Sequence, residues 1–267
     1  MRTVLITGAS SGIGAAAVAE FGRSGWNVVA TMRHPGAGPW QPGDTRLVTR
    51  LDVEDPDSVA AAVEAAAARF GGIDALVNNA GYGQYGIFEA LSPELVQRQF
   101  AVNVLGPMAV MRAVLPGMRQ AGHGVIVNVS SGAGLYGLPM ASAYCASKYA
   151  LEGFSEAVSY ELRGVGIAVK LVIPHGGVGG TSFGQGSATP AVPAPYDAWA
   201  TAAITAAATR PSPEPVPAED VAAVIYQAAT DDTDRLRYLV GNDTRGLIAA
   251  WELPPAQREK QLRQLLA

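Results

Sequence analysis

Three side chains within the stretch Val125–Leu151 carry groups suited to one proton transfer: Ser131, Tyr144 and Lys148. A tyrosine phenol ionises near pH ~10 and is a poor base at neutrality, but an ammonium beside it favours the phenolate and lowers that value. Tyr144 and Lys148 stand four residues apart, a spacing that puts both on one face of a helix. A serine hydroxyl nearby can hydrogen-bond a carbonyl or alkoxide oxygen while the tyrosine gives or takes the proton. This is the proton chemistry that accompanies hydride transfer between a ketone and a secondary alcohol. A tyrosine and a lysine at this spacing are common in helices, so the elements around them decide whether they act together.

The run Val125–Val129 is short, apolar and β-branched, and a Gly-rich loop follows it. It is expected to be a buried parallel strand whose C-terminal end delivers Ser131. Helical periodicity from about Ser142 places Tyr144 and Lys148 on the next helix. At the N-terminus the order is strand (Thr3–Thr7), Gly-rich turn (Gly8 to Gly14) and an Ala-rich helix through about Ser24. Such a turn brings backbone N–H groups to a pyrophosphate at a helix N-terminus, so dinucleotide binding is expected there. Strands are expected near Asn27–Met32, Arg46–Arg50, Ile73–Val77, Gly166–Ile173 and Arg237–Val240. Helices are expected at Pro56–Phe70, stopped by Gly71-Gly72, and at Pro93–Gln120, Ser142–Gly164, Tyr196–Thr209 and Pro217–Thr230, with a helical tail at Arg245–Ala267. The alternation predicts a doubly wound Rossmann-type α/β fold with a seven-stranded parallel sheet, in a single domain over 1–267.

At 267 residues and 49% hydrophobic content, the chain can bury one large core. A net charge of −4 and no basic run argue against nucleic acid or an anionic membrane surface as partner. No charged leader precedes Thr3–Thr7 and no uninterrupted 18-residue apolar run follows, so a soluble, cytoplasmic protein is expected. Cys145 is the only cysteine, and His34, His123 and His175 show no metal-ligand spacing, so neither a disulfide nor a metal site is expected.

The turn Gly8-x-x-x-Gly12-x-Gly14 departs from the usual Rossmann fingerprint, but with Thr7 it resembles the Thr-Gly-x-x-x-Gly-x-Gly motif of the short-chain dehydrogenase/reductase family. Further motifs come in that family's order: Leu51-Asp52-Val53, Asn78-Asn79-Ala80-Gly81, Asn103, Ser131 and Tyr144-Cys-Ala-Ser-Lys148, covering about residues 1–182. The resemblance implies that Tyr144 is the acid/base, that Lys148 lowers its pKa and holds the nicotinamide ribose, and that Ser131 orients the substrate oxygen. It implies for Asn103 the support of a water-linked proton relay, although a polar residue that merely kinks its helix is the other reading. It places the cofactor on Gly8, Ser10, Ser11, Gly12, Ile13 and Gly14, on Asp52 and Val53, on Asn79, Ala80 and Gly81, and on Pro174 and Thr181. Family members pair two long helices across a twofold axis, which implies a homodimer or homotetramer here.

The second strand ends in Thr31-Met32-Arg33-His34, without an acid to accept from an adenosine ribose. Arg33 instead offers a guanidinium to a 2′-phosphate, with Ser11 beside it, so NADP(H) is the expected cofactor. After the sixth strand the chain leaves the family pattern: Pro174-His175-Gly176-Gly177-Val178-Gly179-Gly180-Thr181 stands where Pro-Gly and a short run to Thr are usual. His175 is then either a loop residue tolerated among glycines or a second titrating group against the substrate. The Ala/Pro/Gly-rich stretch 182–217 has the composition of a substrate lid. Tyr85, Tyr136, Leu138, Met140, His175, Phe183 and Trp199 are candidate pocket residues, and their character points to an apolar steroid-, polyketide- or retinoid-like carbonyl compound. The expected activity is therefore NADP(H)-dependent interconversion of a ketone and a secondary alcohol. A non-catalytic NADP(H)-binding sensor, or an epimerase or dehydratase built on the same fold, are the alternatives.

Overall fold

Runs rich in Val, Ile and Leu become the inner strands of a parallel sheet and are buried nearly throughout because both of their faces are covered, while the two edge strands are only partly buried. The computed structural model describes residues 1–181, 183, 187–188, 190–209, 214–243 and 246–266. Its strands are β1 (Thr3–Ile6), β2 (Asn27–Met32), β3 (Arg46–Arg50), β4 (Ala75–Asn78), β5 (Gly124–Val129), β6 (Ile167–His175) and β7 (Arg237–Gly241), in the order β3-β2-β1-β4-β5-β6-β7. Every pairing is parallel. The connections are α1 (Gly12–Arg23), α2 (Pro56–Phe70), α3 (Pro93–Phe100), α4 (Gly106–Ala121), α5 (Ser142–Arg163), α6 (Asp197–Thr209) and α7 (Ala218–Thr230), and the tail is α8 (Leu247–Trp251) and α9 (Pro255–Leu266). The expected tail endpoints Arg245 and Ala267 lie outside the described residues, as do 182, 184–186, 189 and 210–213 of the expected lid.

One face of the sheet buries Val4, Ile6, Val28 and Val127 against Phe21 of α1 and Ile225 of α7; the other buries Leu5, Val29, Leu76 and Ile126 against α2, α4 and α5. Local signals fix the helix ends. Asp55 caps α2 by accepting from Asp57 N and Ser58 N, Pro56 opens it, and Gly71 closes it at φ +85°.

Two differences from the sequence reading bear on the site. The sixth strand runs two residues further, since Pro174 and His175 continue the pairing with Val240 and Gly241 of β7. The helix expected over Pro93–Gln120 is broken by a π-helical turn at Ala101–Leu105. Pro107 lacks the N–H that would close the ordinary bond to the Asn103 carbonyl, and the chain widens one turn at that point. The whole run Pro93–Ala121 is long and apolar enough to cross a bilayer by length and composition. Here its inner face, Val110, Met111, Val114 and Met118, packs into the core.

A buried polar chain seats α5 on the sheet. Asn78 of β4 donates to Asn128 Oδ1 of β5 at 2.9 Å, Asn128 donates to Ser155 Oγ at 2.8 Å, and Ser155 returns its hydroxyl to the Leu151 carbonyl at 2.6 Å. These hydrogen bonds fix the rotation of α5 and hence the face it presents to the β5 exit, while Asn78 Oδ1 is buried without a partner.

Candidate active site

Ser131 leaves the end of β5 in extended conformation and caps a short 3-10 turn, its Oγ accepting from Ala133 N at 3.2 Å. That use of its lone pair leaves the hydroxyl proton free to donate outward, and the hydroxyl is close enough to Tyr144 to favour the ionised phenol. Tyr144 is buried, between the rings of Phe183 (centroids 5.4 Å, edge-on) and Tyr85 (6.1 Å). Lys148, one turn along the same face, is buried and donates to the Val129 carbonyl at 2.9 Å, with Nζ 6.0 Å from the centre of the Tyr144 ring.

Burial raises the Tyr144 phenol above its ordinary range and only the Ser131 hydroxyl pulls it back. Lys148 donates to the Val129 carbonyl, and burial brings it down to about 8 against the opposing pull of Glu152, so the charge that would favour the phenolate is present below that pH. The site therefore presents a neutral phenol, a serine hydroxyl that can donate, and an ammonium that loses its proton above about pH 8.

Asn103 sits in the π turn with its side chain fully engaged. Its Nδ2 donates to the Tyr82 carbonyl (2.9 Å) and Ser147 Oγ (3.2 Å), and Oδ1 accepts from Tyr82 N (3.2 Å). It thus ties the loop after β4 to α5.

A cleft of about 490 Å³ runs along the C-terminal ends of β1, β2 and β4, where open α/β sheets bind ligands. Gly8, Ser10, Ser11, Gly12, Ile13, Arg33, Asp52, Val53, Asn79, Ala80, Gly81, Thr181 and Phe183 all line it. The residues fit a dinucleotide. No side chain caps the N-terminus of α1, so its N–H groups are open to a pyrophosphate. Gly12, at φ +53°, faces Thr181 so closely that a Cβ would stand 3.0 Å from it. Asn79 steadies the strand beside the turn, donating to Thr7 O and Gly8 O.

Four expected cofactor residues are absent from the lining: Tyr144 and Lys148 of α5, Gly14 and Pro174. A Cβ on Gly14 would lie 2.2 Å from the Gly8 carbonyl, so this glycine lets α1 close on the turn. Pro174 is buried inside β6.

A second concavity, about 690 Å³ and mostly apolar, is lined by Gly86–Glu89, Leu138–Met140, Ser142, Tyr196 and Trp199. Leu138 packs on Tyr144, Cys145 and Phe183, which joins this groove to the chemical residues. Tyr136 is not in it; its ring lies in the cluster of Leu171, Ile173, Leu247 and Ile248. The segment after β6 is tied to the loop after β4: Gln84 donates to Ala188 O (2.8 Å) and accepts from Ala188 N (3.2 Å), Ser187 donates to Gly83 O, and Tyr196 donates to Glu89 (2.8 Å). No local signal announces Met140 at φ +58°, a conformation that non-glycine residues rarely hold, whose carbonyl accepts from Gly86 N.

His175 lines neither the cleft nor the groove. It lies beneath the turn after Ser131, where a Cβ on Gly132 would stand 3.1 Å from its own Cβ, and burial lowers its pKa against the pull of Asp243. A ring held neutral and away from the groove is a packing group. His175→Gly is therefore expected to leave the pH–rate profile unchanged and to alter turnover by less than about tenfold, or ~1.4 kcal/mol. Loss of an ionisation near neutrality, seen in kcat against pH, would show that the ring titrates during turnover.

Comparison with known proteins agrees with this geometry. Residues 2–188 match the family described as short chain dehydrogenase. The chain is similar to the oxidoreductase YusZ of Bacillus subtilis, 36% identical over 252 residues and covering 90% of this chain and 89% of that one. Human retinol dehydrogenase 8 is 42% identical over 183 residues, covering 65% of this chain and 58% of its own length. Among solved structures, a short-chain dehydrogenase from Streptomyces avermitilis superposes with a TM-score of 0.81 at 31% identity, covering 98% of each chain.

Proposed function

The chain belongs to the short-chain dehydrogenase family, and from that premise we propose that it is an NADP(H)-dependent reductase of ketones with an apolar body, acting reversibly on the corresponding secondary alcohols. The observation that carries the reaction is the convergence of two hydroxyl donors, Ser131 and buried Tyr144, above a buried ammonium. When bound, the nicotinamide would supply or accept the hydride. Ser131 and Tyr144 both donate to the substrate oxygen, which polarises the carbonyl. As negative charge develops on that oxygen, Tyr144 Oη gives up its proton, and Lys148 offsets the charge left on the phenol. The phenol rests neutral, which suits it to the reductive direction.

Arg33 supports NADP(H): it is exposed in the cleft at the end of β2, and the cleft has no acid on that strand end. The apolar groove beside Leu138 supports an apolar substrate, and the resemblance to a retinol dehydrogenase is in keeping with it. The segment 187–209 acts as the lid over this groove. Exposed Tyr149 and Tyr160 on α5 and Leu105 before α4 support pairing of these helices between two copies of the chain. The single, buried cysteine and the cofactor choice fit a reducing cytoplasm. NADPH depletion with a panel of ketones tests the reading. Turnover is expected to rise with the length of the apolar body, and a panel on which only small polar carbonyls are reduced would overturn it.

A further inference from the structure

Glu152 is a carboxylate in a costly place. It lies on α5 one turn past Lys148, as Lys148 lies one turn past Tyr144, so the three share a face, and the residue is only 5% exposed. Its Oε2 accepts from Arg237 Nε of β7 at 2.9 Å, and Arg237 reaches on to Glu156 Oε2 at 2.5 Å. Its Oε1 is buried without a partner in hydrogen-bond geometry, and burial raises the pKa of this carboxyl against the opposing pull of the Ser130 hydroxyl, Arg237 and Lys148. A staple between α5 and β7 needs only Arg237 and the more exposed Glu156; it does not explain a second acid sunk beside the site.

The opposite side of this carboxylate explains it. Lys148 is a buried cation with a carbonyl as its hydrogen-bond acceptor, and a carbonyl cannot balance a charge. We propose that Glu152 is a positioning residue for the reaction: backed by Arg237, its carboxylate is the counter-charge that keeps the Lys148 ammonium charged beneath Tyr144. This rests on the reading of Tyr144 and Lys148 as the proton-transfer pair. The groups that face Glu152 are Lys148 and Glu156 on its own helix, Arg237 from β7 and the Ser130 hydroxyl from the β5 exit. Glu152 is the anion that raises Lys148 against the effect of burial, so removing it must make the lysine release its proton at lower pH. Removing Arg237 frees the carboxylate and must act in the other direction.

The chain has three lysines, Lys148, Lys170 and Lys260, so protein labelled with carbon-13 at the lysine ε position resolves each titration without cofactor or substrate. The Lys148 midpoint is expected near 8 in the parent. It should fall by about one pH unit or more in Glu152→Gln, a tenfold loss of proton affinity, and rise in Arg237→Gln, with Lys260 unmoved in both. A Lys148 midpoint unchanged in both folded variants would overturn the proposal and leave a plain staple. The alkaline limb of ketone reduction by NADPH is expected to move with the Glu152→Gln midpoint. If the midpoint moves and the rate profile does not, the Glu152–Lys148 coupling stands and the failure belongs to the reading of Lys148 in catalysis.

Discussion

Tyr144→Phe is expected to fold and to bind NADPH as the parent does while ketone turnover falls by about a thousandfold, or ~4 kcal/mol. The ring keeps its contacts with Phe183 and Tyr85, so the loss is confined to the phenol oxygen near Ser131. Ser131 then stands alone as donor and no group remains to release a proton to the alkoxide. Cofactor titration by fluorescence beside steady-state kinetics separates binding from chemistry, and a mutant that reduces a good substrate at near the parent rate would remove Tyr144 from the mechanism. In the parent, reduction needs the phenol neutral and Lys148 charged. Because burial places Lys148 at about 8, below its ordinary value, the rate should hold through neutrality and fall as pH rises through that midpoint.

Arg33→Ala should raise the Michaelis constant for NADPH by roughly 10- to 100-fold and leave that for NADH nearly unchanged. A guanidinium on a phosphate forms charge-assisted, commonly bidentate hydrogen bonds worth about 1.5–3 kcal/mol, and NADH lacks the phosphate they would reach. Arg33 has the exposure such a contact requires and lines the cleft beside Ser10 and Ser11. Equal losses with both cofactors would mean that Arg33 does not read the 2′-phosphate.

The parts legible in the sequence are those that local rules determine. β2, β3 and α2 begin and end where the apolar runs, the Asp55-Pro56 start and the Gly71 stop place them. Ser131, Tyr144 and Lys148 come together because strand exit and helix face are both periodic signals. What long-range packing decides was not legible. The π turn at Asn103 needed Pro107 to be read as the missing partner of a carbonyl four residues earlier. Gly14 carries the same signal as Gly12, yet one answers to the Gly8 carbonyl and the other faces the cleft. His175 and Tyr136 looked like pocket residues because their loops lie at the right edge of the sheet. Their side chains turn under the β5 exit and into the cluster near α8, which no spacing in the chain records.

The strand order has a consequence for how the protein's traits are distributed. Arg33 follows β2 and Ser131 follows β5, with β1 and β4 between them, so the two lie three strand spacings, about 14 Å, apart. Groups that far apart with no shared partner contribute additively in free energy, so their effects on rate multiply. Cofactor preference and proton chemistry are then separable inheritances: the tip of β2 can drift between the two dinucleotides while the β5 exit and α5 keep the same reaction.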